Sequence, residues 1–475
     1  MDYSDWIVAA LIALEITGIA MAARAIMTTR TSQGAVAWSI ALIAFPLASL
    51  PLYAVFGRRK FQGYVEARRA EIAEIQPVLD KLKQRASRDA GIDPAIDTAR
   101  LGPLAQLARM PFSRGNETRV LVDGYATFAA IFAAIEAARH YVLVEYYILR
   151  DDRIGRELQR RLLARLEEGV RVFLLCDGVG SKGLSPYLAE LTSAGARIAV
   201  FGVGGRLSRR LQLNFRNHRK IVVVDGKTGF VGGLNVGDEY LGRDPRHRPW
   251  RDTHVEIRGP AVLALQITFL EDWYDTTAEV PDLDWEPMAV PGADKQVLIL
   301  PSGPADTLET CGLLFAHLIN RAYSRVWIVS PYFVPDEAIV SALQLAALRG
   351  VDVRILLPAR SDNRLVQLAG YSYFDETRAA GVTIYRYQAG FLHQKVVLVD
   401  DDIATVGTAN FDNRSFRLNF EVTAVVADRE FTAEIASMLQ HDFDASQRVS
   451  SADIAGRGWP FRVAVRAARL LSPVL

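Results

Sequence analysis

The octapeptide His218-Arg219-Lys220-Ile221-Val222-Val223-Val224-Asp225 recurs as His393-Gln394-Lys395-Val396-Val397-Leu398-Val399-Asp400. Both copies read His-x-Lys, four aliphatic residues, then Asp. Both continue in step, because Gly232-Gly233-Leu234-Asn235 and Gly407-Thr408-Ala409-Asn410 place an Asn at the same distance after each His. A motif duplicated at so long a separation implies a duplicated fold around it. The aliphatic, mostly β-branched quartet suits a buried strand. Side chains alternate along a strand, so His218 and Lys220 share one face, and so do His393 and Lys395. Asp225 and Asp400 mark the ends of the two strands.

A lone His is most often a hydrogen-bonded core residue. Two copies, each followed by His-x-Lys spacing, indicate chemistry instead. Zinc fits poorly, because each Lys repels a cation and no Cys or second His stands at ligand spacing. No metal and no other cofactor is expected. His140, His247, His254, His317 and His441 have no repeated partner and read as structural or surface residues.

The flanking sequence repeats the same order. Tyr141–Tyr147 reads as a strand, Arg156–Glu168 as a helix and Val170–Cys176 as the next strand. Val326–Tyr332 and Gly350–Leu357 match the two strands. The offset between the copies shrinks from these strands to the His pair, so the first half carries the longer insertions. Strand, helix, strand with a short crossover predicts α/β units with largely parallel pairing. Pro281–Pro291 reads as the linker between the halves.

Ahead of the repeats, Trp6–Ala23 is an apolar run broken only by Glu15, and Gly34–Phe56 is a longer run without charge. A bilayer core needs about 20 apolar residues, so two spans are expected. A cleaved signal peptide fits less well, since Asp2 and Asp5 make the leading segment acidic and a second run follows at once. Glu15 is costly in lipid and is expected to face the other helix. Trp6 and Tyr53 lie where interfacial anchors lie. Arg58-Arg59-Lys60 with Arg68-Arg69 outweighs Arg24 and Arg30, which places the bulk of the chain, and the N-terminus, in the cytoplasm. Residues 60–86 read as a charged helix near the membrane surface and 88–97 as a loop. The expected units are therefore 1–57, a transmembrane hairpin; 58–115, a helical connector; 116–285, the first repeat; and 286–475, the second repeat. The tail Trp459–Leu475, with Arg462, Arg466 and Arg469 on one face, fits either a basic amphipathic helix at an anionic surface or a helix docked on the domain.

The net charge is +1, so no attraction of the whole chain to polyanions follows. The two Cys, Cys176 and Cys311, lie in apolar contexts and point to a reducing compartment. Gly202–Gly205 lacks the Lys-Ser/Thr of a phosphate loop, which argues against a nucleotide site.

The paired motifs resemble the phospholipase D superfamily. Arg216-Asn217-His218-Arg219-Lys220, Ser330-Pro331-Tyr332-Phe333-Val334-Pro335-Asp336 and Gly407-Thr408-Ala409-Asn410-Phe411-Asp412-Asn413-Arg414-Ser415-Phe416 are similar to bacterial cardiolipin synthases within it. The resemblance covers nearly the whole chain. It implies two pseudo-twofold-related α/β/α domains behind a two-helix hairpin, facing one site in a bacterial inner-membrane enzyme. The reaction it implies joins two phosphatidylglycerol molecules into cardiolipin and releases glycerol.

Such an exchange needs a nucleophile, an acid for the leaving alkoxide and positive charge on the phosphoryl oxygens. Two motif copies supply all three. The catalytic set is His218, Lys220 and Asp225 with His393, Lys395 and Asp400, the two Asp acting structurally by closing the turn. By resemblance His218 is the nucleophile and His393 the acid/base, although the near-symmetry of the sequence leaves that choice open. Asn235 and Asn410 can add amide donors. The family also holds each motif imidazole with a later carboxylate. In the second half this is Glu421, after Asn410. In the first half it is Asp252, which follows Asn235 at a longer spacing. The run Arg206, Arg209, Arg210, Arg216 and Arg219 reads as a site for an anionic headgroup or as a solvated loop. The resemblance implies phosphatidylglycerol and membrane lipids as partners. Nucleic acid is disfavoured by the near-neutral charge, and a homo-oligomer is left open. A lipid hydrolase, a transferase with another acceptor and a nucleic-acid phosphodiesterase are the rival readings. A non-enzymatic membrane scaffold would not need both motifs.

Overall fold

The computed structural model describes residues 3–29, 32–56, 59–88, 98–202, 215–286, 288–450, 453, 456–472 and 475. Arg30, Arg58, Arg206, Arg209 and Arg210, and residues 89–97 of the expected loop, lie outside them. The described residues divide into two compact units, one within residues 3–71 and one within 72–475.

The first unit begins with the helix Tyr3–Thr28, in which Asp5–Thr28 gives 24 residues long and apolar enough to cross a membrane. Its large side chains stand mostly exposed, among them Ile7, Leu11, Ile12, Ile16 and Ile19. The second apolar run is not one helix. It divides into Ser32–Ala44 and Pro46–Phe56, of 13 and 11 residues. Pro46 has no N–H, and its ring crowds the preceding turn, so the helix breaks there. The Ser49 hydroxyl donates to the carbonyls of Ala41 at 2.9 Å and Phe45 at 2.7 Å, taking up acceptors at the break. The helices meet along Gly18, Ala22 and Ala25. A Cβ at Gly18 would collide with the carbonyl oxygen of Leu42, so the backbones can approach only because that residue is glycine. This stripe of small residues makes the contact, and Glu15 is exposed rather than turned to the neighbouring helix. Tyr53 is buried against Trp38, with ring centroids 5.0 Å apart, and does not stand out as an interfacial anchor.

The second unit is built on a 16-stranded sheet of two matching halves. From the outer edge inward the first half runs Arg197–Phe201, Arg171–Asp177, Tyr141–Tyr146, Lys220–Val224, Thr228–Gly232, Thr253–Arg258 and Ser113–Val122. Inside an added edge strand, Ser446–Arg448, the second half runs Thr383–Tyr387, Asp352–Pro358, Arg325–Val329, Val396–Val399, Ile403–Gly407, Asn419–Ala427 and Lys295–Ser302, and the short Arg216–Asn217 pairs with Asn419–Ala427 off this path. The order is the same in each. The two innermost strands pair antiparallel, Ser113 opposite Val297 and Asn116 opposite Lys295, which joins the halves about a local twofold.

Among the long strands, the largely parallel pairing expected from the crossovers holds for Arg197–Phe201, Arg171–Asp177 and Tyr141–Tyr146 in one half and for Thr383–Tyr387, Asp352–Pro358 and Arg325–Val329 in the other. The motif strands pair antiparallel on both sides. On the side of the following strand the cause is the motif's final Asp. Asp225 and Asp400 take φ of 52° and 53°, followed in the first copy by Gly226 at 65°, and the chain turns straight back as a hairpin.

One apolar core runs through both halves, from Leu143 and Ile221 to Val397 and Val425. The helix Arg59–Arg88 enters this core through Ile75, Leu79 and Leu82, spaced to form one face, and Lys83 reaches Glu271 at 3.5 Å. That part of the expected surface helix is packed on protein. The tail helix Trp459–Arg469 docks through Val465 and Ala468, and Arg469 pairs with Glu376 at 3.2 Å. Arg462, Arg466, Trp459 and Val463 remain exposed on it. Cys176 and Cys311 are buried free thiols.

Candidate active site

The residues before each motif strand cross to the other half. Arg216-Asn217 lies parallel to Asn419-Phe420, and Phe391-Leu392 lies parallel to Trp250-Arg251. The His218 N–H donates to the Phe420 carbonyl at 2.9 Å, and the His393 N–H donates to the Arg251 carbonyl at 2.8 Å. The residue after each of those carbonyls is an acid. The His218 Nδ1 lies 2.9 and 3.0 Å from the Glu421 oxygens, and the His393 Nδ1 lies 2.9 Å from Asp252 Oδ2. Each carboxylate thus serves the other half's imidazole, and neither half holds a complete site alone.

The acids are themselves fixed. Glu421 accepts from the hydroxyls of Thr408 at 2.6 Å and Ser415 at 2.9 Å and from the Asn419 amide at 3.1 Å. Asp252 accepts from the Thr253 N–H at 2.8 Å and the Trp250 indole at 3.3 Å. With Nδ1–H held by a carboxylate, Nε2 of each imidazole is the nitrogen that can attack or carry a proton. The Lys220 and Lys395 ammonium groups are buried beside them and donate to the carbonyls of His218 at 2.5 Å and His393 at 2.6 Å.

Burial sets the electrostatics. It depresses the His218 imidazole to about 4, with Glu421 opposing and Lys220 adding to the shift. Burial and the Lys395 charge hold His393 below its ordinary value, against Asp252. Burial also lowers Lys220 to about 7 and Lys395 to about 8. Burial works against ionisation of Glu421 and Asp252 too, yet both stay below the usual carboxylate range because the imidazoles and ammonium groups favour their charged forms. The two lysines share one buried centre and disfavour each other's charge, so a bound anion such as a phosphodiester would favour their protonated forms.

The two sides differ chemically. His218 has Tyr147 against its ring, centroids 5.0 Å apart. The guanidiniums of Arg216 and Arg414 both act on the Tyr147 phenol, and on each other. His393 instead lies against Trp250 at 5.1 Å and Phe391 at 6.1 Å, and the Asp362 carboxylate favours its protonated form. The substitution is position by position. Two places before the His stands Arg216 in one copy and Phe391 in the other, and four places after the Asn stands Arg414 in one and Glu239 in the other.

Other expected residues sort by strand face. Arg219 lies between His218 and Lys220, so it turns away from the site. Its guanidinium is buried on Asp272 at 2.5 Å and on the carbonyls of Glu421 at 3.1 Å and Ser302 at 3.3 Å, which removes it from the headgroup set. Its counterpart Gln394 holds Asp442 at 2.8 Å, together with Arg251. The Asp225 carboxylate accepts from the N–H groups of Arg139, His140 and Tyr141 at 2.8–2.9 Å, and Asp400 likewise holds Tyr323, Ser324 and Arg325. Both therefore pin the neighbouring strand and stand away from the imidazoles. The Asn235 side chain accepts from the Ile148 N–H at 3.0 Å and donates to the Tyr240 hydroxyl at 2.9 Å. The buried Asn410 amide oxygen has no hydrogen-bond partner among the described residues. Among the described residues no group of three or more His, Cys, Asp and Glu is placed to hold a metal ion.

Tyr147, Trp250, Asp362 and Arg414 were not singled out from the sequence. For Arg414, quoted only within the Gly407–Phe416 motif, the available signal was its difference from Glu239 in the other copy.

Residues 131–263 and 315–443 match the family model described as "Cardiolipin synthase, PLD-like domain". The chain is 48% identical over 480 residues to cardiolipin synthase A of Pseudomonas entomophila (strain L48), covering 100% of both chains. It is 48% identical over 469 residues to cardiolipin synthase A of Pseudomonas aeruginosa (strain PAO1), covering 98% of this chain and 95% of that one. Among solved structures, phosphatidylserine synthase of Haemophilus influenzae Rd KW20 shares the fold, with a TM-score of 0.60 at 14% identity over 79% of this chain and 100% of that one.

Proposed function

This chain belongs to the cardiolipin synthase family of membrane-associated phosphatidyltransferases, and we propose that it joins two phosphatidylglycerol molecules through a phosphatidyl-histidine on His218. The observation that carries the mechanism is the crossed pair of imidazole–carboxylate contacts, each leaving one Nε2 for chemistry. The observation that supports a direction is the difference between the two sides. Arg216, Arg414 and Tyr147 on the side of His218 favour the phosphoryl anion, whereas Asp362 beside His393 favours a protonated imidazole.

In the first step Nε2 of His218 bonds to phosphorus as the bond from phosphorus to the glycerol oxygen breaks. His393 gives its proton to that oxygen, and glycerol leaves. In the second step a hydroxyl of the second phosphatidylglycerol gives its proton to His393. Its oxygen bonds to phosphorus as the bond to His218 breaks. Lys220 and Lys395 hold the other phosphoryl oxygens. The diester anion offsets their mutual repulsion and lifts His393 toward its protonated form. One phosphodiester replaces another, so no external energy source is needed and added glycerol should drive the reaction backward.

The helix Asp5–Thr28 is the membrane element. A bacterial inner-membrane location with two spans and cytoplasmic catalytic halves is part of the same proposal, motivated by Arg58-Arg59-Lys60. A reporter fused after Leu475 that works only outside the cytoplasm would contradict that orientation.

The test is product analysis of purified protein in phosphatidylglycerol vesicles, with and without exhaustive chelation. Cardiolipin and glycerol should form under both conditions. Phosphatidic acid as the main product would instead make the protein a hydrolase. Activity lost on chelation and restored by a divalent ion would overturn the paired-imidazole mechanism.

A further inference from the structure

We propose that the cleft beside His393 is the acceptor site, which takes the glycerophosphate headgroup of the second phospholipid and uses Arg153 at its mouth to hold that phosphate. The proposal rests on the transferase reading and names the residues that choose the acceptor.

The cleft has a volume of about 840 Å³. That lies within the range of a few hundred to about 1,000 Å³ usual for small-molecule sites, and far above what a single water or a glycerol fills. Trp250 and Tyr240 line its buried end, and Trp250 packs on His393 at 5.1 Å. Asp362 lines it as well, held by the Tyr332 hydroxyl at 2.8 Å. The cleft therefore lies on the His393 side of the centre, sharing Trp250 and Asp362 with the surroundings of that imidazole.

Much of its wall is the segment that sets the two copies apart. The stretch from Asn235 to Asp252 in the first half is longer than the stretch from Asn410 to Glu421 in the second. The extra length lies within 237–249, which supplies Asp238, Glu239, Arg243, Asp244 and His247 to the cleft. The duplicated fold has lengthened a cleft wall on the His393 side in a stretch that is shorter in the other copy.

The lining suits hydroxyl groups. Glu239 pairs with Arg150 at 3.0 Å, Asp238 with Arg243, and Asp244 with His247 at 2.9 Å. These groups offer hydrogen-bond donors and acceptors side by side, which suits the hydroxyls of a polyol. Arg153 differs. It lines the cleft, its side chain is exposed, and it has no ion pair among the described residues. It is thus placed to meet an anion joined to that polyol, as the acceptor's phosphate is. In the transfer step the acceptor hydroxyl gives its proton to His393 while its oxygen takes phosphorus from His218, and Arg153 touches only the acceptor's own phosphate.

The test compares two acceptors on one enzyme preparation. Full-length protein is reconstituted in phosphatidylglycerol vesicles with labelled glycerol. Cardiolipin reports transfer to the phospholipid acceptor, and labelled phosphatidylglycerol reports transfer to free glycerol, which has no phosphate. Arg153→Glu should lower the ratio of cardiolipin to exchanged phosphatidylglycerol by about ten-fold or more, with Arg153→Ala between it and wild type. A ratio equal to wild type, whether both products persist or both fall together, overturns the assignment. Wild-type protein that forms phosphatidic acid in place of both products overturns the transferase reading instead, and is recognised before any variant is compared.

Discussion

Glu421 and Asp252 decide the tautomer and orientation of the two imidazoles, so their charge matters more than their size. Glu421→Gln and Asp252→Asn keep the shape but remove the anion, and each should lower kcat by about 10²- to 10⁴-fold. The two should separate in single-turnover experiments. Glu421→Gln should slow formation of the covalent intermediate from any substrate. Asp252→Asn should slow it for phosphatidylglycerol much more than for a substrate whose leaving group needs no proton. Equal losses on both substrates would contradict the division of roles. The same centre predicts a response to acid. The folded His218 sits at about 4 against an ordinary 6.5, so between these values the unfolded chain binds a proton that the folded chain does not. Stability should therefore fall as pH drops from 6.5 toward 4. Glu421 and Asp252, held below their ordinary values of 4.5 and 3.8, add stability that is lost only as pH falls below those values. Thermal unfolding of wild type and His218→Asn across this window should show a shallower slope in the variant.

At the scale of elements, the hairpin that ends each motif is the part most open to test without touching chemistry. Asp225 accepts three backbone N–H groups and holds φ of 52°. Asp225→Ala should destabilise the fold by about 2–4 kcal/mol, because it strands those donors and strains the left-handed turn. Asp225→Gly should cost less, since glycine adopts that φ freely. The folded fraction of either variant should keep activity close to wild type. A large loss of kcat at full folding would return Asp225 to the catalytic set. These local features were legible in the sequence. The aliphatic quartet, the alternation that aims His and Lys together and the closing Asp are all set within one octapeptide. The face of Arg219 was legible by the same alternation, and its headgroup reading failed because charge was weighed ahead of strand geometry. The break at Pro46 was also visible as a residue, but the unbroken run of apolar side chains around it outweighed it. What the sequence did not disclose is the exchange of Glu421 and Asp252 between halves. It depends on pairing Asn217 with Phe420 and Leu392 with Arg251 across long separations, which no local pattern encodes.

At the scale of the whole molecule, duplication supplies two of everything, and the pseudo-twofold brings the pairs to one centre. Divergence then assigns the roles, with guanidiniums gathered near His218 and a polar cleft near His393. The central claim is that the phosphatidyl group rides on His218 between two alcohols. It is tested most directly by quenching the enzyme during turnover of labelled phosphatidylglycerol and locating the label by mass spectrometry of the digested protein. The label should lie on the peptide carrying His218, persist slowly in His393→Ala with a leaving group that needs no proton, and be absent from His218→Ala. Label on the His393 peptide in the His218 variant would contradict the account.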